Sequence, residues 1–323
     1  MLFVVSVLTF AIFFLVPRLG GATSDDLASR YVGKTANQAE IHAMAEKLGF
    51  TQPLYVQYAR FARGIFVGSD YNTGPTTVHC PAPCFGYSFI NQNPVWPDLM
   101  NRFPVTLSLA VGAAIIWLLA GTATGVLSAL RKGSVFDRAA MSIALAGVSL
   151  PIFFTGLISL FIFTYTLHWT AGGNTFTSIA DNPAKWAYDL ILPWITLAFL
   201  YAAGYARLTR AGMLETMSED YVRTARAKGL RERDVVVKHG LRSALTPIVT
   251  IFGLDLGLLL GGAILTESTF SLPGLGLYAR IALTNSDLPQ LLGVTLFGAA
   301  FVVIANLIVD LCYAVIDPRV RLT

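Results

Sequence analysis

A short stretch of the sequence, HCPAPC (79–84), has residue types that could bind a metal or form a disulfide. Thiolates and imidazoles are zinc ligands, but His79, Cys80 and Cys84 are one ligand short of a structural zinc site. The two prolines between the cysteines are already typical of a stiff turn. A local disulfide between Cys80 and Cys84 is therefore the simpler expectation, and zinc binding is the alternative.

An acidic residue inside an apolar stretch is a second candidate for chemistry. Asp255 lies in IFGLDLGLLLGG (251–262), where a carboxylate is costly to bury. It either lines a pathway and contacts a cationic or zwitterionic substrate, or it makes a hydrogen bond to a neighbouring helix. The residues alone leave both interpretations open.

A charged stretch between two apolar runs, SEDYVRTARAKGL (218–230), is the third candidate. Ser218 is a fair N-cap, and Glu219 and Asp220 suit the positive end of a helix dipole. Gly229 can end the helix in the left-handed conformation. The pattern predicts a helix of about three turns without a wide apolar stripe. Such a helix either is a solvated loop helix or docks onto another protein.

Catalytic motifs are absent from the sequence. The four histidines lie in separate segments, and neither an HExxH motif, a Gly-x-Ser-x-Gly motif nor a phosphate-binding glycine loop with lysine is present. We therefore predict no catalytic residues, no enzyme activity and no cofactor in this chain. Any energy from ATP must come from a partner.

The composition is that of a membrane protein. Of 323 residues, 54% are hydrophobic and only 13% are charged, whereas about 25% charged is usual in a soluble domain. Six apolar segments approach or exceed the roughly 17–25 residues that cross a bilayer. They cover about 2–17, 104–130, 139–167, 188–206, 244–266 and 290–316. We expect an all-α polytopic protein with about six transmembrane helices.

The distribution of lysine and arginine predicts the orientation. Basic residues concentrate after the second span (Arg131, Lys132, Arg138), between the fourth and fifth spans (about 207–243) and in the tail (Arg319, Arg321). Short basic segments stay in the cytoplasm, so both termini should be cytoplasmic. The net charge of +4 reflects this asymmetry, because no basic run is interleaved with base-stacking aromatic residues and nucleic acid is not an expected partner.

The boundaries expected from this topology are a first span at 1–19, an extracytoplasmic segment at 20–103 and a five-span core domain at 104–323. The first span is short, and a cleaved signal peptide is the alternative to a retained helix. In the outer segment, helix-favouring residues stop at Gly49 and Pro53, and a second amphipathic helix follows. The stretch 68–97 is rich in Gly, Pro, Asn and Thr and is expected to be a loop.

One motif gives these elements a family resemblance. YVRTARAKG (221–229) resembles the cytoplasmic coupling loop of permeases of ABC-type importers, in the form typical of dipeptide and oligopeptide permeases. Further stretches that resemble this family are LGFTQPLYVQYARF (48–61), RFPVTLSLA (102–110), GVSLPIFFTG (147–156), LTESTFSLPGLGLYARIAL (265–283) and NLIVDLCYAVIDPRVRL (306–322). The resemblance implies a type I ABC importer permease fold in the cell membrane.

The resemblance also implies partners and site residues. The partners would be a second homologous permease, two cytoplasmic ATPase subunits that bind ATP and Mg, an extracytoplasmic substrate-binding protein that docks on 20–103 and 268–287, and membrane lipid. Asp255 and Glu267 would be candidates to meet a peptide's amino group. The expected ATPase-coupling residues are Glu219, Asp220, Tyr221, Arg223, Thr224, Ala225, Arg226, Ala227, Lys228, Gly229 and Leu230.

Two other functions compete with peptide import. A nickel importer permease is a close relative of the same family. An ion-coupled secondary transporter needs intramembrane charges and inverted repeats, and the sequence shows neither a repeat nor a charge relay.

Overall fold

The computed structural model describes residues 1–32, 36–72, 76–170, 172–260 and 263–316, and for Thr246 and 309–316 it describes the backbone only. The tail residues Arg319 and Arg321 lie outside the described residues. The helices are α1 (Leu2–Phe10), α2 (Val16–Leu19), α3 (Ser24–Ala28), α4 (Gln38–Leu48), α5 (Leu54–Val67), α6 (Val95–Leu130), α7 (Val135–Ser149), α8 (Ile152–Ser159), α9 (Pro183–Thr216), α10 (Asp220–Ala227), α11 (Glu232–Asp234), α12 (Arg242–Leu260), α13 (Ile264–Thr269), α14 (Leu275–Asn285) and α15 (Leu288–Ile316). The π-helical segments Ala11–Leu15, Leu160–Thr166 and Val235–Leu241 continue α1, α8 and α11.

The long helices match the predicted spans. Within the described residues, four helices are long and apolar enough to cross a membrane: Leu2–Leu19, Val95–Leu130, Pro183–Thr216 and Leu288–Ile308. Two bent pairs, Val135–Ser149 with Ile152–Thr166 and Glu232–Leu245 with Pro247–Leu260, are long and apolar enough as pairs. Counting each bent pair as one span gives up to six, so the predicted helical membrane architecture is confirmed.

The third predicted span is broken, and Pro151 explains the break. The helix pair around it is bent by 106°. Leu150 has φ −90° and ψ 130°, the extended conformation favoured for a residue that precedes proline. Pro151 also lacks the N–H that would continue the helical hydrogen bonds. The segment predicted over 139–167 is therefore helical on both sides of a break at Leu150 and Pro151.

Two compact units divide the chain, and the first comprises 1–104 with 274–303. In this unit Phe10 and Phe14 of the first apolar helix pack with Phe50, Leu288 and Leu292. A second cluster joins the start of α6 to α14 and α15 through Val95, Leu99, Leu275, Tyr278, Val294 and Phe297. Residues 274–303 thus belong to the same compact unit as the segment 20–103.

The segment 20–103 contains the two helices expected from the sequence. An Asn37–Glu40 capping box begins α4, and Gly49 ends it at φ +74°. Pro53 precedes α5, whose apolar face carries Leu54, Tyr58 and Phe61 onto the cluster around Phe10. The helix, stop and second helix predicted there are confirmed.

The stretch expected to be a loop contains two short hairpins instead. Ser69–Asn72 (β1) pairs antiparallel with Thr77–Cys80 (β2), and Tyr87–Ser88 (β3) pairs with Asn93–Pro94 (β4). Turn-rich composition predicts where a chain reverses but not whether the flanking residues pair. Tyr71, Tyr87 and Phe89 form a cluster of rings with centroids 5.0–6.3 Å apart, which supplies the packing for these short strands.

The second unit comprises 105–273 with 304–323, and glycines let two of its helices approach closely. A Cβ added at Gly112 of α6 would lie 2.2 Å from Cε2 of Trp194 on α9. Added at Gly121 or Gly125, it would lie within 2.7 Å of another α9 side chain. Trp194 donates a hydrogen bond from Nε1 to the Ser108 carbonyl oxygen at 2.9 Å. Small residues at these positions allow close packing where lipid supplies no hydrophobic drive between helices.

Candidate functional site

The charged helix between α9 and α11 is α10, and it is shorter than expected. Its first residue is Asp220, and Glu219 occupies the N-cap position in an extended conformation. Ser218 was wrong as the N-cap, because its hydroxyl donates to the Glu215 carbonyl oxygen at 2.6 Å. Gly229 follows the helix at φ +77°, so the predicted left-handed ending is confirmed.

One face of α10 is buried, which the sequence interpretation missed. Val222 is fully buried and Ala225 nearly so, and both pack with Val235 and Met217. Ala225 therefore lies against its own chain and is not on the surface of α10, unlike the other expected coupling residues. The two positions are three residues apart, the spacing that places side chains on one face. Val222 and Ala225 are the only buried residues of α10, so the apolar face of this helix is too narrow to be recognised from the sequence pattern.

The opposite face of α10 is polar and open to solvent. Arg223 lies 3.3 Å from Asp220, and both side chains are at least 70% exposed. Arg226 binds both carboxylate oxygens of Glu232. The remaining exposed positions of the expected coupling surface are Glu219, Tyr221, Thr224, Ala227, Lys228, Gly229 and Leu230.

The first turn of α10 contacts the segment that follows α11. Tyr221 donates to the His239 carbonyl oxygen at 3.4 Å. Next to α10, Met213 of α9 packs with Val236 and with Ala244 of α12 in one apolar cluster. A displacement of α10 would therefore be carried into the ends of two long helices.

A buried ionic network lies at the α6–α7 turn, and sequence reasoning missed it. The Asp137 side chain is 5% exposed and accepts hydrogen bonds from Ser128 and from the Gly133 N–H. Arg210 of α9 completes the network. The Ser134-x-x-Asp137 spacing at the start of α7 signals a helix start. No local pattern names Arg210, which is 73 residues away in the chain.

Asp255, the acidic residue of α12, has a partner on α9. The Tyr205 hydroxyl donates a hydrogen bond to Asp255 Oδ2 at 2.8 Å. Tyr205 is 3% exposed, and Asp255 is half-buried. This contact is the hydrogen bond to a neighbouring helix that was one of the two interpretations of Asp255. The carboxylate is only half-buried, so the contact does not exclude the other interpretation, in which Asp255 lines a pathway.

Glu267 is enclosed. It lies in α13 with none of its surface exposed, and the Thr106 hydroxyl donates to Glu267 Oε1 at 2.8 Å. Asp255 and Glu267 have different partners on different helices, α9 and α6. In this conformation a solute does not reach the Glu267 carboxylate.

Cys80 and Cys84 are linked in the structure, with sulfurs 2.10 Å apart and Cα atoms 5.7 Å apart. His79 instead lies 2.6 Å from Asp70 through Nδ1. Among the described residues, no three metal-ligating side chains lie together in an arrangement that could hold a metal ion.

Comparison with known proteins identifies the architecture. The model of the binding-protein-dependent transport system inner membrane component family matches residues 121–322, and the model of its N-terminal region matches 1–110. In structure, the chain is similar to a chain of the MetNI methionine ABC transporter in inward-facing conformations. The TM-score is 0.53 at 18% identity, covering 68% of this chain and 96% of that one. At this identity the similarity concerns the fold.

Two curated relatives extend over nearly the whole chain. The di/tripeptide transport system permease protein DppB of Pseudomonas aeruginosa is 36% identical and covers 99% of this chain and 94% of its own length. The dipeptide transport system permease protein DppB of Escherichia coli K12 is 36% identical, with 98% and 94% covered. With the family model matching well over half of the chain, this multi-pass membrane protein belongs to the binding-protein-dependent transport system inner membrane components, as a permease subunit of an ABC importer.

Proposed function

We propose that this chain is a permease subunit that forms half of the translocation path of an ATP-driven importer of dipeptides and oligopeptides. The names of its relatives support the substrate class. The single observation that supports ATP coupling is the construction of α10, with one face anchored in its own chain and the other exposed.

The anchored face makes α10 suitable for transmitting force. Val222 and Ala225 hold the helix against Val235 and Met217, so a push on the exposed face moves the helix as a rigid body. The exposed face carries Arg223, Arg226 and Lys228, which can pair with acidic groups or carbonyl oxygens of an ATPase. In this proposal the ATPase subunits bind ATP and Mg, and this chain binds no cofactor.

The proposed assembly has a second homologous permease, two cytoplasmic ATPases and an extracytoplasmic binding protein, surrounded by membrane lipid. Both termini and α10 face the cytoplasm, and the segments 20–103 and 268–287 face outward. Asp255 lines the path and meets a peptide's amino group. The enclosed Glu267 takes part only in a conformation that opens α13.

Reconstitution in proteoliposomes tests the proposal. The complex should take up labelled dipeptide only with ATP inside and a peptide-loaded binding protein outside. Arg223→Glu on the exposed face of α10 should reduce binding of the ATPases and uptake by at least tenfold. Arg138→Glu, at an exposed arginine near the start of α7, is the matched control and should retain both.

A second variant addresses the anchored face. Val222→Asp places a charge in the buried contact with Val235, so α10 should detach while the chain still inserts. Val222→Ile keeps the contact apolar and should retain uptake. Uptake driven by an ion gradient without ATPases would contradict the proposal, and transport of nickel in place of peptide would contradict the substrate class.

The orientation has its own test. A cysteine introduced as Thr224→Cys should react with a membrane-impermeant thiol reagent only from the cytoplasmic side, since Thr224 is exposed on α10. Reaction from the outer side would contradict the ATPase-coupling assignment.

A further inference from the structure

A cleft in the first compact unit brings together three basic side chains that form no salt bridge with the described residues. It is lined by residues of α4, α5 and β1 and has a volume of about 440 Å³. Lys47, Arg60 and Arg63 are its basic residues. Arg60 and Arg63 are three positions apart on α5 and so lie on the same face.

The cations of the cleft have no carboxylate partner among the described residues. Lys47 lies over the Phe89 ring at 5.9 Å, and Arg60 donates to Gln52 Oε1 at 3.3 Å. Salt bridges found in the described part of the chain include none to Lys47, Arg60 or Arg63. Like charges held around one concave surface repel each other, and an anion bound there would relieve that repulsion.

The positive charge of the cleft does not come from an excess of basic residues in the surrounding segment. The segment 20–103 contains six acidic and six basic residues, so its net charge is zero. Each carboxylate has a partner that is neither lysine nor arginine: Asp25 and Glu46 contact His42, Asp26 contacts Thr23, Glu40 contacts Asn37, Asp70 contacts His79 and Asp98 contacts Tyr278. Half of the segment's cations are thereby left in one cleft.

The walls of the cleft add aromatic surface. Tyr71 and Phe89 line it, with ring centroids 6.3 Å apart. The one acidic lining residue is Asp70, which His79 contacts from the neighbouring strand β2. A ligand that combines carboxylates with apolar or aromatic groups fits this lining, since cations and ring faces are then both satisfied.

We propose that this cleft is the docking point for a carboxylate-bearing surface segment of the extracytoplasmic substrate-binding protein. The proposal rests on the proposed function, which places the segment 20–103 on the receptor side of the membrane. Acidic side chains of the receptor enter between Lys47, Arg60 and Arg63 and orient it over the permease. Such charge pairing accelerates association and sets the register of the complex.

Binding of the receptor to the whole complex tests the proposal. The complex is placed in nanodiscs of neutral phosphatidylcholine, and the probe is a purified peptide-binding protein that supports uptake by the wild-type complex. The triple variant Lys47→Gln, Arg60→Gln, Arg63→Gln should weaken binding at least tenfold at low salt and reduce the salt dependence of Kd. Arg63→Gln alone removes a side chain without an ion pair in the described structure, so it should fold and still weaken binding severalfold.

The matched control is Arg30→Gln, an exposed arginine of the same unit that does not line the cleft. It should bind the receptor like the wild type. Receptor binding by the triple and single variants equal to the wild type would overturn the docking proposal. An affinity loss that appears only when phosphatidylglycerol is added would assign the cleft to anionic lipid and overturn it too. If the wild-type complex neither binds the receptor nor transports peptide, the proposed function fails with it.

Discussion

Arg210 binds Asp137 through two parallel contacts: Nε lies 2.6 Å from Oδ1, and Nη2 lies 2.8 Å from Oδ2. The pair joins the start of α7 to the last two turns of α9, which leads directly into α10. Bidentate geometry fixes the relative orientation of the two helices as well as their separation. The pair therefore fixes the start of α7 relative to the end of α9 in this conformation.

This pair predicts a large stability effect. Arg210→Ala leaves the Asp137 carboxylate without its cation, which should lower the thermal unfolding midpoint in detergent. Arg207→Ala removes an exposed arginine of the same helix and should change the midpoint little. Adding Asp137→Asn to Arg210→Ala should recover part of the loss. Equal midpoints for Arg210→Ala and Arg207→Ala would contradict a structural role for the pair.

Two glycines with nearly the same positive φ allow the effect of backbone strain to be separated from an effect on ATPase coupling. Gly229 has φ +77° and Gly133 has φ +78°, and an added Cβ would meet no other atom within 4 Å at either. Gly229→Ala and Gly133→Ala should each cost about 1 kcal/mol, because a left-handed conformation is unfavourable with a Cβ.

Only Gly229→Ala should also reduce peptide-stimulated ATP hydrolysis, since Gly229 ends α10 and Gly133 lies in another turn. The measurement is ATPase activity of the reconstituted complex beside the unfolding midpoint. A matching loss of activity in Gly133→Ala would show that strain alone is responsible.

Variants of Tyr205 and Asp255 distinguish two roles for Asp255: lining the translocation path, or making a structural hydrogen bond between helices. Asp255→Asn keeps an acceptor for the Tyr205 hydroxyl but removes the charge, so uptake should fall while the unfolding midpoint stays near the wild-type value. Tyr205→Phe leaves the carboxylate without this donor and should cost about 1–3 kcal/mol. Unchanged uptake by Asp255→Asn at saturating and at limiting peptide would remove Asp255 from the path.

The packing of α6 on α9 predicts a steric effect. Gly112→Ala places a methyl group 2.2 Å from Trp194 Cε2, so the helices must separate or the indole must move. We expect a loss of about 1–3 kcal/mol and a changed tryptophan fluorescence spectrum. Gly204→Ala is the matched control, because an added Cβ there meets nothing within 4 Å. The two variants should differ clearly in yield of folded protein.

Several elements could be predicted from local sequence. Gly49 and Pro53 mark the boundary between α4 and α5, because a left-handed glycine ends one helix and proline suits the start of the next. Gly229 likewise marks the end of α10. Segment hydropathy predicted the membrane helices, since crossing hydrocarbon demands a minimum run of apolar residues. All of these signals act over a few residues of the chain.

Other features depended on contacts between distant residues. The partnership of Asp137 with Arg210, the burial of Val222 and the enclosure of Glu267 have no local pattern that names them. The stretch that forms β1 and β2 was expected to be a loop. Its composition could not show the pairing, because pairing depends on the facing strand and not on propensity alone. The cationic cleft likewise forms only when α4, α5 and β1 come together.

The sequence by itself determined that the chain is a multi-span helical membrane protein, where α4 stops and α5 starts, where α10 ends, and which loop carries the motif that resembles the coupling loop of the family. These properties follow from hydropathy and backbone preference, which each residue carries along the chain. The tertiary structure alone decided which face of α10 is anchored, which charges are paired and which are left open in the cleft. Those outcomes depend on distances between side chains far apart in sequence, and electrostatic and packing energies are set by such distances.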